Sequence, residues 1–194
     1  DYLRGDASIE EVILSGGDPL SLSTAKLAEL STALADIGHI RRLRIHTRLP
    51  IVLPQRIDNE FTEWLAALPL QRVVVIHANH VNELDGAVAD ACARLRQAGA
   101  TVLNQSVLLR GVNDDADVLA ALSEALFAQG VLPYYLHQLD QVQGAAHFQV
   151  SDDRALALMD ALRARLPGYL VPRLVREVAG EPAKSPLFNA SSLP

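Results

Sequence analysis

Five apolar runs recur about thirty residues apart, beginning near Val12, Leu43, Val73, Val102 and Leu132. Each is too short for a helix and suits a covered strand. The segments between them carry apolar residues at helical spacing. Ser23 precedes a helix predicted over 24–37, and Asp58 precedes one over 59–68. A third runs from Glu83 to Ala98 and stops at Gly99. Asp114 or Asp115 opens a fourth that ends near Gln129, and Asp152 or Asp153 opens a fifth through Arg165, before Pro167 and Gly168. Strand, helix, strand at this spacing is the βαβ unit, whose right-handed crossovers wind one parallel sheet. Five strands cannot close an eight-stranded barrel. The pattern predicts an α/β fold: a partial, open parallel β/α barrel with five βα units over residues 1–168, its first strand lying upstream. Residues 169–194 are expected to form a C-terminal extended arm, because Pro172 demotes the β-rich stretch Tyr169 to Arg176 to an edge strand or arm. Residues 189–194 are expected to fray.

Composition narrows the function classes. Hydrophobic residues make up 49% of the 194 and mean hydropathy is +0.15, which fits a packed core and not a disordered chain. A net charge of −6 argues against a nucleic-acid or membrane surface. No apolar run approaches the ~20 residues of a membrane span. The single cysteine, Cys92, excludes an internal disulfide and a cysteine-only metal site within these residues. The first residue is Asp1 and not Met, so the sequence reads as a stretch of a longer protein. Fifteen arginines stand against two lysines, Lys26 and Lys184, which makes each lysine worth a question.

Polar residues gather where the strands end. The first run breaks at Ser15-Gly16-Gly17-Asp18, where glycines let a ligand approach the backbone and Asp18 adds a carboxylate. The others end on His46-Thr47-Arg48, on His77-Ala78-Asn79-His80, near Gln105 and Asn113-Asp114, and on His137-Gln138-Leu139-Asp140. Carboxyl ends of parallel strands are where such folds bind ligands. Four of the six histidines lie there. One reading is metal-assisted hydrolysis with His46, His77, His80 and His137 as ligands, although their spacing is not a metal-site signature. A non-catalytic binding module is another.

Six longer motifs, in order, carry a third reading. They are Leu14-Ser-Gly-Gly-Asp-Pro-Leu20, Leu49 to Ile57, His77-Ala-Asn-His-Val-Asn-Glu83, Asn104 to Asp114, Pro133-Tyr-Tyr-Leu-His-Gln-Leu-Asp140 and Gly180-Glu-Pro-Ala-Lys184. With them the chain resembles the lysine 2,3-aminomutase family of radical S-adenosylmethionine (SAM) enzymes, above all the branch that makes β-lysine for bacterial elongation factor P. The resemblance implies a cytoplasmic isomerase with SAM, a [4Fe–4S] cluster and pyridoxal 5′-phosphate (PLP). It implies a small-molecule substrate, lysine or a lysyl residue, and an indirect link to elongation factor P or its lysyl ligase. An aminomutase acting on another amino acid, such as glutamate, is the nearer alternative, and the hydrolase the more distant one. The family's three cluster cysteines are absent from these residues and are expected upstream. The 194-residue stretch alone is therefore expected to bind no cluster and to be inactive. No zinc is expected.

The resemblance also implies roles. Ser15, Gly16, Gly17 and Asp18 match the segment that holds the methionyl amine of SAM, with His46 and Arg48 beside it. His77 and Gln105 match positions facing the SAM and PLP pocket. Lys184 matches the lysine that forms a Schiff base with PLP, in a stretch stiffened by Pro182 and Pro186. Asp140 matches a carboxylate that binds the substrate's ε-ammonium, and Glu177 stands where relatives carry a second one. Asn79, His80, Asn82 and Glu83 are alternatively caps of the following helix, Asn82 above all. Lys26 lies on an amphipathic helix and reads as surface.

Overall fold

The computed structural model describes residues 1–140, 144–178, 180, 181 and 184–188. In chain order the elements are α1 (Tyr2–Gly5), β1 (Glu11–Leu14), α2 (Thr24–Ala35), β2 (Arg42–His46), α3 (Leu49–Val52), α4 (Asn59–Ala67) and β3 (Gln71–Ile76). There follow α5 (Gly86–Gln97), β4 (Thr101–Leu108), α6 (Ala116–Ala128), β5 (Leu132–Gln138), α7 (Asp152–Arg165), β6 (Arg173–Arg176) and β7 (Ser185–Pro186). Strands stand in the sheet in chain order. β1–β2, β2–β3 and β5–β6 pair in parallel, and β7 lies antiparallel to β6. With right-handed crossovers, chain order sends successive connecting helices to one face. That is the winding of a partial barrel and not of a doubly wound sheet.

Most helix starts follow the expected caps. Ser23, Asp58 and Asp115 each accept a backbone hydrogen bond at the heads of α2, α4 and α6. Two differ. α5 begins at Gly86 and not at Glu83, because Asp85 accepts from the Val88 N–H at 2.9 Å. α7 is capped by Ser151, which leaves Asp152 and Asp153 in its first turn, where carboxylates favour the helix dipole.

The tail corrects an expectation. Residues 173–176 are neither an edge strand nor a free arm: β6 lies between β5 and β7. Pro172 precedes the first ladder residue, so its missing N–H costs the sheet nothing. The six residues expected to fray, 189–194, lie outside those described, as does Pro182.

Two compact units divide the chain, one of residues 1–77 and 85–103, the other of residues 78–84 and 104 onward. In the first, alternation along β2 buries Leu43 and Ile45 while Arg44 and His46 lie on the opposite face. Phe61, Leu65 and Leu95 add to the buried side chains of this unit. Arg72 turns its guanidinium onto the carbonyls of Leu65, Ala66 and Ala98, so that one cation serves the carboxyl ends of both α4 and α5. In the second unit Leu108, Leu119, Leu136, Leu158, Met159, Leu162 and Leu174 form a continuous core.

An amide network ties residues 78–84 to the second unit. The Asn104 side chain accepts from Ala78 N at 2.8 Å and donates to Ala78 O at 3.0 Å, mimicking a strand partner. Asn79 accepts from Val107 N, and Asn113 donates to the carbonyls of Asn79 and Val107. Glu83 accepts from the N–H groups of Asn79 and His80, and His80 Nδ1 accepts from Asn82 N. The cap in this motif is therefore His80, with Glu83 closing the box, and Asn82 contributes its backbone alone.

Candidate active site

The first unit holds the end of β1 and the end of β2 together. Asp18 does this. Its Oδ1 accepts from Leu20 N at 3.0 Å and from Thr47 Oγ1 at 2.8 Å, and its Oδ2 accepts from Arg48 N at 2.7 Å. A carboxylate offers about four acceptor positions, so one remains for a ligand donor. Ser15, Gly16 and Gly17 are exposed just before it. Gly16 and Gly17 have φ of +80° and +55°, and a Cβ on either would meet no atom within 4 Å. Glycine is required there by backbone conformation and not by packing, and the space above is open to a ligand. Gly17→Ala is expected to lower stability by about 1–2 kcal/mol through its positive φ. Urea unfolding measures this, and an unchanged midpoint would mean the turn adapts.

His46, on β2, and His77, just after β3, meet edge to face with ring centroids 5.9 Å apart. They share a face because His46 pairs with Val75 and His77 lies two residues further along. The Arg48 side chain is exposed, while its N–H is the one bound to Asp18.

The second unit carries the other candidates. On β4 the buried face is Val102, Asn104, Ser106 and Leu108, so Gln105 lies on the opposite face. Its Oε1 is buried without a hydrogen-bond partner among the described residues, a cost of about 1–3 kcal/mol that a ligand donor would remove. On β5, His137 is 5% exposed and faces Val175 of β6 in register. Glu177 directly follows β6 and is exposed. Lys184 stands immediately before β7, and the antiparallel return of that strand brings it back to β5. Its Nζ lies 3.0 Å from His137 Nε2, 3.6 Å from Glu177 Oε2 and 5.5 Å from the centroid of the Tyr135 ring. Tyr135 meets the His137 ring at 85° and hydrogen-bonds Tyr134 through its hydroxyl. Lys184, Glu177, His137 and Tyr135 are thus brought together. Asp140 is exposed after β5 and makes no ion pair among the described residues. Tyr135 has no sequence signal beyond the Pro133 to Asp140 motif, and His137 has only that motif and its place among the strand-end histidines.

Cys92 is placed differently. It is fully buried on α5, and burial pushes its thiol up to about 11, against a smaller opposing effect of the Arg96 charge. A cluster ligand must be a thiolate, so this cysteine does not fit one. Among the described residues no group of three or more His, Cys, Asp or Glu could hold a metal ion. No helix among them is long and apolar enough to cross a membrane.

The comparisons with known proteins agree with the motifs. No family profile matches the chain. The chain is 55% identical over 185 residues to the L-lysine 2,3-aminomutase of Haemophilus influenzae, covering 95% of this chain and 55% of the relative. It is 54% identical over 187 residues to that of Escherichia coli, and 38% identical over 189 residues to that of Clostridium subterminale. Two solved structures share the fold. One is a domain of pyruvate-formate lyase-activating enzyme from Bacteroides vulgatus, with TM-score 0.59 and 15% identity over 86% of this chain and 98% of the other. The second is a radical SAM methyltransferase from Sphaerobacter thermophilus, with TM-score 0.57 and 19% identity over 87% of this chain and 51% of the other. At such identity these structures speak for the fold alone. The chain is thus similar over nearly its whole length to L-lysine 2,3-aminomutases, and it spans about half the length of the relatives it matches.

Proposed function

We propose that the protein containing this chain is a radical SAM, PLP-dependent isomerase that moves the amino group of lysine, free or as a lysyl residue, from carbon 2 to carbon 3. The observation that carries the reading is the Lys184 amine, held between an imidazole and a carboxylate in a chain with one other lysine. The residues present fit PLP: a primary amine, an aromatic ring beside it, and an orphaned acceptor at Gln105. When bound, PLP supplies an aldehyde for the amine and a conjugated system that shares an unpaired electron. They fit SAM at the open Gly16-Gly17 turn and the spare acceptor of Asp18. They do not fit an iron–sulfur cluster, since the one thiol, that of Cys92, is buried on α5. Three cluster thiolates are not available from these residues, whose one cysteine is Cys92.

The chain's own contribution is to hold and orient. Asp18 fixes the rim of the first unit, and Lys184 presents its amine. Glu177 already grips an ammonium, that of Lys184, at 3.6 Å. A substrate ε-ammonium is the same chemical group, so Glu177, with Asp140 as the second carboxylate, favours lysine and repels an acidic substrate such as glutamate. Delivery of β-lysine to elongation factor P is part of the proposal and rests on the motifs alone.

The test is conversion of lysine to β-lysine by the native full-length protein under anaerobic conditions with SAM and reductant. Turnover of another amino acid in preference to lysine or a lysyl peptide would overturn the substrate assignment. Asp140→Asn is expected to raise the lysine KM about tenfold and leave SAM affinity unchanged, because one exposed charge-assisted contact is lost. Equal losses in both would make Asp140 structural.

A further inference from the structure

The shortest contact of the Lys184 amine among its neighbours is to a base. We infer that His137 Nε2 is the proton acceptor that makes Lys184 Nζ a nucleophile toward an aldehyde. The inference rests on the proposed role of Lys184 and deepens it. At 3.0 Å, Nζ and Nε2 share one hydrogen, so one of the two is the donor. The contact suits an Nζ–H donating to Nε2, which is the arrangement of a ring that carries its own proton on Nδ1.

As an ammonium the amine has no lone pair to offer. Glu177 also faces the ammonium, but 3.6 Å away, 65% exposed and as a carboxylate, a weaker base than imidazole. The Tyr135 ring, 5.5 Å from Nζ, favours the cation. His137 is the neighbour able to take the proton. It is buried, its ring is braced by the edge of Tyr135, and its position in β5 is fixed by pairing to β6. The Tyr135 phenol beside the pair is also ionisable, and its hydroxyl is hydrogen-bonded to that of Tyr134.

The step balances within the pair and the aldehyde. An Nζ–H bond breaks and the proton goes to Nε2. The freed electron pair on Nζ forms a bond to the carbonyl carbon as the carbonyl π pair moves onto oxygen. That oxygen takes the proton back from Nε2 and becomes a hydroxyl; a second Nζ–H proton then passes over the same ring to the hydroxyl, which leaves as water as the freed Nζ pair closes the C=N bond. No oxidant, reductant or further reactant is needed. A positioned general base of this kind contributes about 10²-fold or more.

The chain supplies its own control, since Lys26 is exposed on α2. Apo full-length protein is mixed with pyridoxal 5′-phosphate, and separately with acetaldehyde, across about pH 5 to 8. Adducts are trapped with borohydride and quantified by peptide mass spectrometry. In the wild type the Lys184 rate is expected to follow a sigmoid through the histidine range. His137→Gln keeps an acceptor for the ammonium but no base, and should slow Lys184 about 100-fold and flatten the profile, with Lys26 unaffected. An unchanged Lys184 rate, or a slower one with the sigmoid retained, would overturn the inference.

If His137→Gln does not fold, the titration of His137 by NMR in wild type and Lys184→Met decides. Removing a positive charge 3.0 Å away should move its midpoint up, and an unmoved midpoint refutes the pair. Attachment of pyridoxal 5′-phosphate elsewhere, with His137-dependent acetaldehyde addition at Lys184, would instead sink the cofactor reading and leave the pair standing.

Discussion

Lys184→Ala is expected to eliminate covalently attached pyridoxal 5′-phosphate from the native full-length protein. A Schiff base needs a primary amine. Within this chain the side-chain amines are those of Lys26 and Lys184, and Lys26 sits exposed on α2. Lys184 is three-quarters covered, with an imidazole against its amine. Borohydride reduction should fix a pyridoxyl group on Lys184 in the wild type, and the variant should lack both the group and its absorbance. The fold should survive. Lys184 lies outside the core, and its ion pair with exposed Glu177 is worth at most about 1 kcal/mol. A pyridoxyl group on Lys26, or undiminished absorbance in Lys184→Ala, would refute the assignment.

The second large effect concerns stability. Asn104→Ala should destabilise the protein by about 2–4 kcal/mol. Asn104 is 2% exposed, and its amide answers both the N–H and the carbonyl of Ala78. After truncation Ser106 Oγ still serves the carbonyl at 2.8 Å, while the buried Ala78 N–H loses its acceptor. Asn82→Ala, at an exposed residue in the same motif, should cost almost nothing because its backbone alone is used. Chemical denaturation of the two variants side by side measures the difference. A loss below about 1 kcal/mol for Asn104→Ala would mean that water replaces the amide.

The strands were legible because burial by covering helices forces short apolar runs, and the caps because Ser and Asp ahead of an apolar period have few other uses. Pro172 misled because a proline beside a ladder reads the same as one inside it. Asn104 and Asn113 gave no signal, since a buried amide in a strand looks like any polar strand residue until its partner is known. The rim of the first unit was readable from Gly16-Gly17-Asp18, but not the use Asp18 makes of its oxygens. Lys184 and His137 lie 47 positions apart. Their meeting depends on β6 entering the sheet and β7 turning back on it, and neither event follows from local pattern.

The last strand among those described also bears on how copies of the protein meet one another. A sheet's outer strand invites a stranger to add another, and long flat borders of this kind nucleate insoluble stacks. Here the border is two residues, one of them Pro186, which has no N–H to donate. The same short strand that returns Lys184 to the sheet leaves a second molecule little to zip onto at that margin, so the segment that positions the amine also blunts the sheet against growth.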